Sequence, residues 1–306
     1  MTTFVLVHGA WGGSYAFRTV RGPLRAAGHE VFTPSLTGLG ERAHLSSPQV
    51  GLATHVTDVA NTILYEDLSD IVLLGYSYGG MVVTGALEHV ADRVAHLVYL
   101  DAFVPADGEA LNDLTGAHAG FTTVGPDAQW LVPPAVRAFD EGVDAAWHLA
   151  RRVPHPARCF SEPVRLRKPL EDHRCTRTYI KATAEPRPSP NRPSAFWATA
   201  DRVRRDPAWR YREIDTNHMI LANRPGELVD LLLPLVLDGF RSPESRQITR
   251  TETRLPRPER TQTTSHIQMA LEKPPLFTRR RKTTRALGSF RRGLTSQEVI
   301  DDVRDM

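Results

Sequence analysis

The segment Gly75-Tyr76-Ser77-Tyr78-Gly79 has the residue types and spacing of a serine nucleophile presented on a sharp turn. An apolar run, Ile71 to Leu74, precedes it and a helix-like stretch, Gly80 to Val90, follows, so Ser77 is expected where a strand turns directly into a helix. Such a turn strains the serine backbone and leaves no room for side chains two positions away, a demand that glycine at 75 and 79 meets. The helix that begins just past Ser77 also points amides and the positive end of its dipole at charge building on a substrate. A plain strand-to-helix glycine turn is the bland alternative for the same five residues.

A serine hydroxyl is a weak nucleophile until a base takes its proton. Of the 12 histidines, His218 stands out, because Thr216-Asn217-His218-Met219 follows the last expected strand and precedes the last expected helix. That places it at the same edge of a sheet as Ser77. An acid must then fix the imidazole tautomer. In the chain order serine, acid, histidine, Glu185 is the first carboxylate after the strand 178–182 and the favoured choice. Asp101, at the end of the strand after the elbow helix, is the alternative, and Asp201 and Asp215 are weaker ones. His8-Gly9-Ala10-Trp11 ends the first strand, so the backbone amides of Ala10 and Tyr78 are the expected oxyanion donors, with His8 itself structural.

The elements that must position these groups alternate. Strand-like runs at 4–7, 30–34, 71–74 and 94–100 are separated by helix-like stretches at 14–27, 53–65 and 80–90, which predicts a doubly wound, mostly parallel sheet. Residues 103–176 are rich in proline, glycine and aromatics and are expected to form an inserted helical cap. Strands resume at 178–182 and 210–214, and a helix at 225–237 closes the core, which is thus assigned to 1–102 and 177–241. Trp130, Leu131, Phe139 and Trp147 of the cap, with Trp11 and Met219 of the core, are candidates for an apolar pocket wall; the cap's own packing is the competing role.

With 306 residues, 41% hydrophobic and 24% charged, the chain is long enough for one large α/β domain. The net charge of +3 is uneven, since residues 242–306 alone carry about +6. That stretch is read as a basic disordered tail, with a capping box at Thr295 to Glu298 opening a possible short terminal helix. Its Arg279-Arg280-Arg281-Lys282 run lacks interleaved aromatics, so no nucleic-acid partner is expected. No run approaches about 18 consecutive apolar residues and no secretory signal precedes the first strand. Cys159 and Cys175 match no metal or disulfide pattern, which suggests a reduced, cytoplasmic protein without a metal.

Five stretches, FVLVHGAWGG, HEVFTPSLTGLGER, LLGYSYGGMVV, LVYLDAFVP and NHMILANRPGEL, resemble the α/β-hydrolases of the plant methylesterase and hydroxynitrile lyase type, over residues 4 to 238. The resemblance implies the α/β-hydrolase fold, Ser77 as nucleophile, His218 as base, and Glu185 where the family has an aspartate. Tyr76 stands where relatives carry histidine. The lyases have a threonine at the position of Gly9 and a lysine at that of Met219, so the chain is similar to the esterase branch. The expected activity is cofactor-free hydrolysis of a small, hydrophobic or aromatic carboxylic ester. Thioesterase, lactonase or lyase chemistry on the same fold is one rival, and a catalytically silent ligand-binding protein is another.

Overall fold

In chain order the elements are β1 (Thr3–Val7), α1 (Arg18–Ala26), β2 (Glu30–Phe32), α2 (Leu52–Tyr65), β3 (Ile71–Tyr76), α3 (Gly79–Val90) and β4 (Val94–Leu100). Then come α4 (Leu111–Thr115), β5 (Leu131–Val132), α5 (Ala145–Leu149), β6 (His155–Pro156), α6 (Arg158–Ser161) and β7 (Thr176–Ala182). The last are α7 (Ala195–Val203), β8 (Trp209–Ile214), α8 (Ile220–Asn223) and α9 (Pro225–Leu232). The computed structural model describes residues 1–116, 130–184 and 194–235. Glu185, most of the stretch between α4 and Trp130, and the basic tail with its terminal capping box lie outside the described residues. The chain divides into two compact units, Met1–Thr249 and Arg250–Met306, and every described residue belongs to the first.

Six strands form one sheet in the order β2-β1-β3-β4-β7-β8, and every pairing in it is parallel. A parallel sheet needs helices on both faces, which is why its strands read as continuous apolar runs rather than alternating ones. β3 is buried along its whole length. One face packs on α2, α3, α6 and α7 through residues such as Val59, Met81, Phe160 and Trp197. The other packs on α1, α8 and α9 through Val20, Leu24, Ile220 and Leu228. Ten of the twelve residues of α3 are buried, because the helix is held between the sheet and α2.

The strand order reverses at β1, which has β2 on one side and β3 on the other. At such a switch point the loops leaving adjacent strand ends part to opposite faces and open a crevice beyond the carboxyl ends of the strands. The loop after β1 carries Gly9 to Trp11, and the turn after β3 carries Ser77.

Between β4 and β7 the sequence predicts a helical cap. The described part holds helices of only four or five residues and a two-residue antiparallel ribbon, β5 with β6. Cys159, Phe160, Val164 and Leu170 from this stretch belong to the same buried cluster as α2 and α3. α4 and α6 are therefore held by shared core packing through Leu111, Cys159 and Phe160, since helices of one turn have little stability of their own, whereas α5 buries none of its residues.

Candidate active site

Ser77 sits between β3 and α3 with φ +56°, a left-handed conformation that costs a non-glycine residue energy. The turn is fastened from both sides. The Ser77 N–H donates to the Leu100 carbonyl at 3.2 Å, and its carbonyl accepts from the Gly80 and Phe103 amides at 3.0 and 3.2 Å. A Cβ at Gly75 would fall 2.6 Å from the Gly79 carbonyl oxygen, and one at Gly79 would fall 2.6 Å from that of Val7. Glycine is thus required by contact, as the motif implied.

The Ser77 Oγ lies 2.9 Å from His218 Nε2, and His218 Nδ1 lies 2.7 Å from Asp101 Oδ2. A carboxylate only accepts, so Nδ1 carries the proton and the Nε2 lone pair faces the serine hydroxyl. Tyr76 and Phe196 stack against the imidazole at 5.1 and 4.8 Å, and the Tyr76 hydroxyl donates to the His218 carbonyl at 2.6 Å. The ring and its backbone are therefore both held.

The carboxylate beside His218 is Asp101, the alternative to Glu185, which lies outside the described residues. Chain order ranks candidates along the polypeptide, but β4 lies beside β3 in the sheet, so its last residue arrives next to the elbow. Asp101 is fully buried with φ +39°, and its amide donates to the Ile180 carbonyl at 2.7 Å. Its other oxygen accepts from Lys181 Nζ at 2.7 Å. Lys181 is itself buried, with its ammonium 4.5 Å from the centre of the Trp197 ring. Burial works to raise the pKa of Asp101, but the hydrogen bond and charge of His218, joined by Lys181, outweigh it and hold the carboxyl below its ordinary value.

His8 orders the loop after β1. The Leu36 amide donates to His8 Nε2 at 3.1 Å, so Nδ1 carries the proton and donates to the Gly9 carbonyl at 2.8 Å. A trans peptide points its carbonyl and its following N–H in opposite directions, which turns the Ala10 N–H away from His8. The next residue, Trp11, has φ +61° and is tied down by its backbone N–H to His155 Nδ1 at 3.2 Å and its indole to the Val132 carbonyl at 2.9 Å. Among the described residues neither the Ala10 nor the Tyr78 amide donates to another protein group.

One buried group has the makings of a metal site: His55, His155 and Cys159, with candidate ligand atoms all within 4.8 Å of one another. Its imidazoles are already engaged, His55 by the Tyr78 hydroxyl at 2.9 Å and the Thr37 carbonyl at 2.8 Å, and His155 by Trp11. Burial pushes the Cys159 thiol up to about 12, which opposes the thiolate a metal needs. The donor set fits hydrogen-bonded packing better than metal binding.

Ser77 and His218 open on a cavity also lined by Gly9, Ala10, Trp11, Tyr15, Tyr76, Met219, Arg137, His148 and Arg152. Of the expected wall residues, Trp11 and Met219 line this cavity. Phe139 and Trp147 stand one row back, packed on His148 at 5.3 and 4.9 Å. Trp130 and Leu131 are not among the lining residues; the Trp130 carbonyl accepts from the Ala157 amide, and Leu131 is exposed on the ribbon. The sequence reading missed Lys181, Phe196, Tyr15 and the two arginines. Lysine within the otherwise apolar strand Thr178 to Ala182 was the one visible signal, because a charge there demands a buried partner.

The sequence profile of the alpha/beta hydrolase family matches residues 4–231. A carbendazim hydrolyzing esterase of Nocardioides sp. (strain SG-4G) is 36% identical over 261 residues, covering 77% of this chain and 100% of that protein. The chain belongs to the alpha/beta hydrolase family. Other family relatives match less of their length: methylesterase 1 of Arabidopsis thaliana is 30% identical over 104 residues, 33% of this chain and 40% of that one. Among solved hydrolase structures, an extracellular alpha/beta-hydrolase from a Paenibacillus species, described as sharing structural and functional homology with tobacco salicylic acid binding protein 2, superposes with a TM-score of 0.61. The two are 25% identical, over 76% of this chain and 98% of that one.

Proposed function

We propose that the protein hydrolyses a small carboxylic ester through an acyl-enzyme on Ser77. The observation that carries this reading is the unbroken line Ser77 Oγ, His218 Nε2, His218 Nδ1, Asp101 Oδ2, with both contacts under 3 Å. The relatives named as a carbendazim hydrolyzing esterase, a pyrethroid hydrolase and methylesterases support it.

In the reaction, His218 takes the serine proton as Oγ attacks the ester carbonyl, and Asp101 stabilises the imidazolium that forms. The amides of Ala10 and Tyr78 receive the oxyanion, each contributing about 3 kcal/mol to lowering the barrier. His218 then returns its proton to the departing alcohol, and the same imidazole activates the water that releases the acid. The Trp11 and Met219 side chains supply apolar wall for a hydrophobic or aryl portion. Two buried free thiols, Cys159 and Cys175, suit a reducing compartment such as the cytoplasm. No helix among the described residues is long and apolar enough to cross a membrane.

The test is turnover of activated esters by the wild-type protein and by Ser77→Ala, with an organophosphonate labelling one serine per chain. Ester cleavage that disappears with Ser77 is the expected result. Labelling without turnover would instead favour a silent binding protein, and equal turnover by both proteins would remove Ser77 from the mechanism.

A further inference from the structure

The cavity beside Ser77 holds positive charge that ester hydrolysis alone leaves unused. Among the described residues its wall includes Arg137 and Arg152, and no carboxylate. Arg224, by contrast, pairs with Asp140 at 2.6 Å and Glu227 at 3.4 Å, while Arg18 and Arg151 lie against the Trp147 ring outside the cavity lining. Among the described residues no aspartate or glutamate pairs with Arg137 or Arg152.

Arg152 is half-buried and held in place. Its Nη1 donates to the Ala135 carbonyl at 2.5 Å, and its guanidinium carbon stands 5.4 Å from the centre of the Trp11 ring, on the loop that carries Ala10. A guanidinium has five N–H donors, and among the described residues this is the only one with a hydrogen-bond partner. Partial burial and the nearby charge of Arg137 both work against its protonated form. Two like charges placed in a partly desolvated cleft, with donors to spare, are unfavourable until an anion enters between them. Both arginines line the same cavity as Ser77.

We propose that the substrate ester carries a second, anionic oxygen group, in its simplest form a carboxylate, that Arg152 and Arg137 hold while the ester carbonyl lies on Ser77. This rests on the reading of the site as an ester hydrolase and narrows its substrate to half-esters of dicarboxylic acids or esters of carboxylated alcohols and phenols. The apolar wall at Trp11 and Met219 then faces the linker between the two functional groups.

Matched pairs of esters test this. 4-Nitrophenyl hydrogen adipate against 4-nitrophenyl hexanoate places the charge on the acyl side with the same leaving group; 4-acetoxybenzoate against 4-acetoxybenzamide places it on the leaving group. In at least one pair, kcat/KM for the anionic member is expected to exceed that of the neutral one by about tenfold at low salt. That ratio is expected to shrink in about 0.5 M salt, where exposed charges are screened. Arg152→Gln and Arg137→Gln are each expected to lower it. If Arg152→Gln does not fold, Arg137→Gln and the salt titration of the wild type decide. Neutral esters cleaved as well as anionic ones in both pairs, or a preference insensitive to salt and to both substitutions, would overturn the anionic substrate while leaving ester hydrolysis standing. No turnover of any of the four esters and no labelling of Ser77 would overturn the hydrolase reading, and this inference with it.

Discussion

Two sets of buried histidines flank Ser77, and they differ in what they touch. His218 has a carboxylate on Nδ1 and, through Asp101, a buried ammonium beyond it. Among the described residues His8 and His55 hydrogen-bond only to neutral groups: a backbone amide, backbone carbonyls, a tyrosine hydroxyl and the Cys159 thiol. Burial lowers the pKa of each from 6.5 to about 4, and that of His155 falls well below its ordinary value for the same reason. The residue type is shared, and the partner decides the role. The imidazole of His218 lies between a serine hydroxyl and a buried carboxylate, whereas those of His8 and His55 are hydrogen-bonded to neutral groups.

The sharpest way to break this contrast is to give His218 a neutral partner too. Asp101→Asn is expected to lower kcat on the order of 10⁴-fold, because an amide no longer enforces the tautomer or stabilises the imidazolium. Glu185→Gln is expected to stay near the wild-type rate. Steady-state kinetics of both variants check this, and the reverse ranking would return the acid to Glu185.

Next in size is Lys181→Met, which leaves Asp101 buried with His218 as its remaining ionic partner. Breaking a buried pair from one side costs about 3–5 kcal/mol, which thermal unfolding will report as a large fall in Tm. Since the lysine charge helps lower the Asp101 pKa, its loss raises that pKa, and the acid limb of the activity profile is expected to move to higher pH. An unchanged acid limb in folded protein would show that Lys181 does not tune the carboxylate.

The neutral set makes a separate prediction. His8 and His55 take up protons less readily in the folded chain than in the unfolded one, so their contribution to stability is complete above pH 6.5 and is lost as pH falls from there toward 4. Each contributes a slope of about 1.4 kcal/mol per pH unit in that window. Tm is expected to fall steadily between pH 7 and pH 5, and a flat profile would mean that these histidines are not held neutral.

The smallest expected effect comes from Tyr76→Phe, which keeps the ring stacked on His218 but removes the hydroxyl bond to its carbonyl. A loss of about 1 kcal/mol corresponds to a several-fold fall in kcat. No change would assign the positioning of His218 to ring stacking alone.

Much of the molecule was legible in local pattern. The apolar runs place five strands within a residue or two and β3 two residues short, at Leu74 rather than Tyr76. β2 ends at Phe32, ahead of Thr33-Pro34, and the stretch from Ser14 opens with a single tight turn before α1 begins at Arg18. Ser77 and His218 were readable because each follows a strand end, where backbone geometry alone directs a side chain into the crevice. The anchoring of the pocket wall was less readable. Trp130 looked like a lining residue by composition, but which face of a two-residue ribbon meets the cavity depends on contacts with Ala157 and the rest of the excursion.

By itself, then, the order of residues determined the strand-turn-helix around Ser77, the loop that carries His218 and the parallel character of the sheet, since these follow from periodicity and from what glycine permits over a few positions. Only the tertiary structure decided that Asp101 lies beside the imidazole, that Lys181 lies buried behind it, and that two arginines share the cleft with no acid among the described lining residues. Those are distances between residues up to 117 positions apart, as for Asp101 and His218. The side-by-side order of strands sets such distances, and no local pattern encodes them.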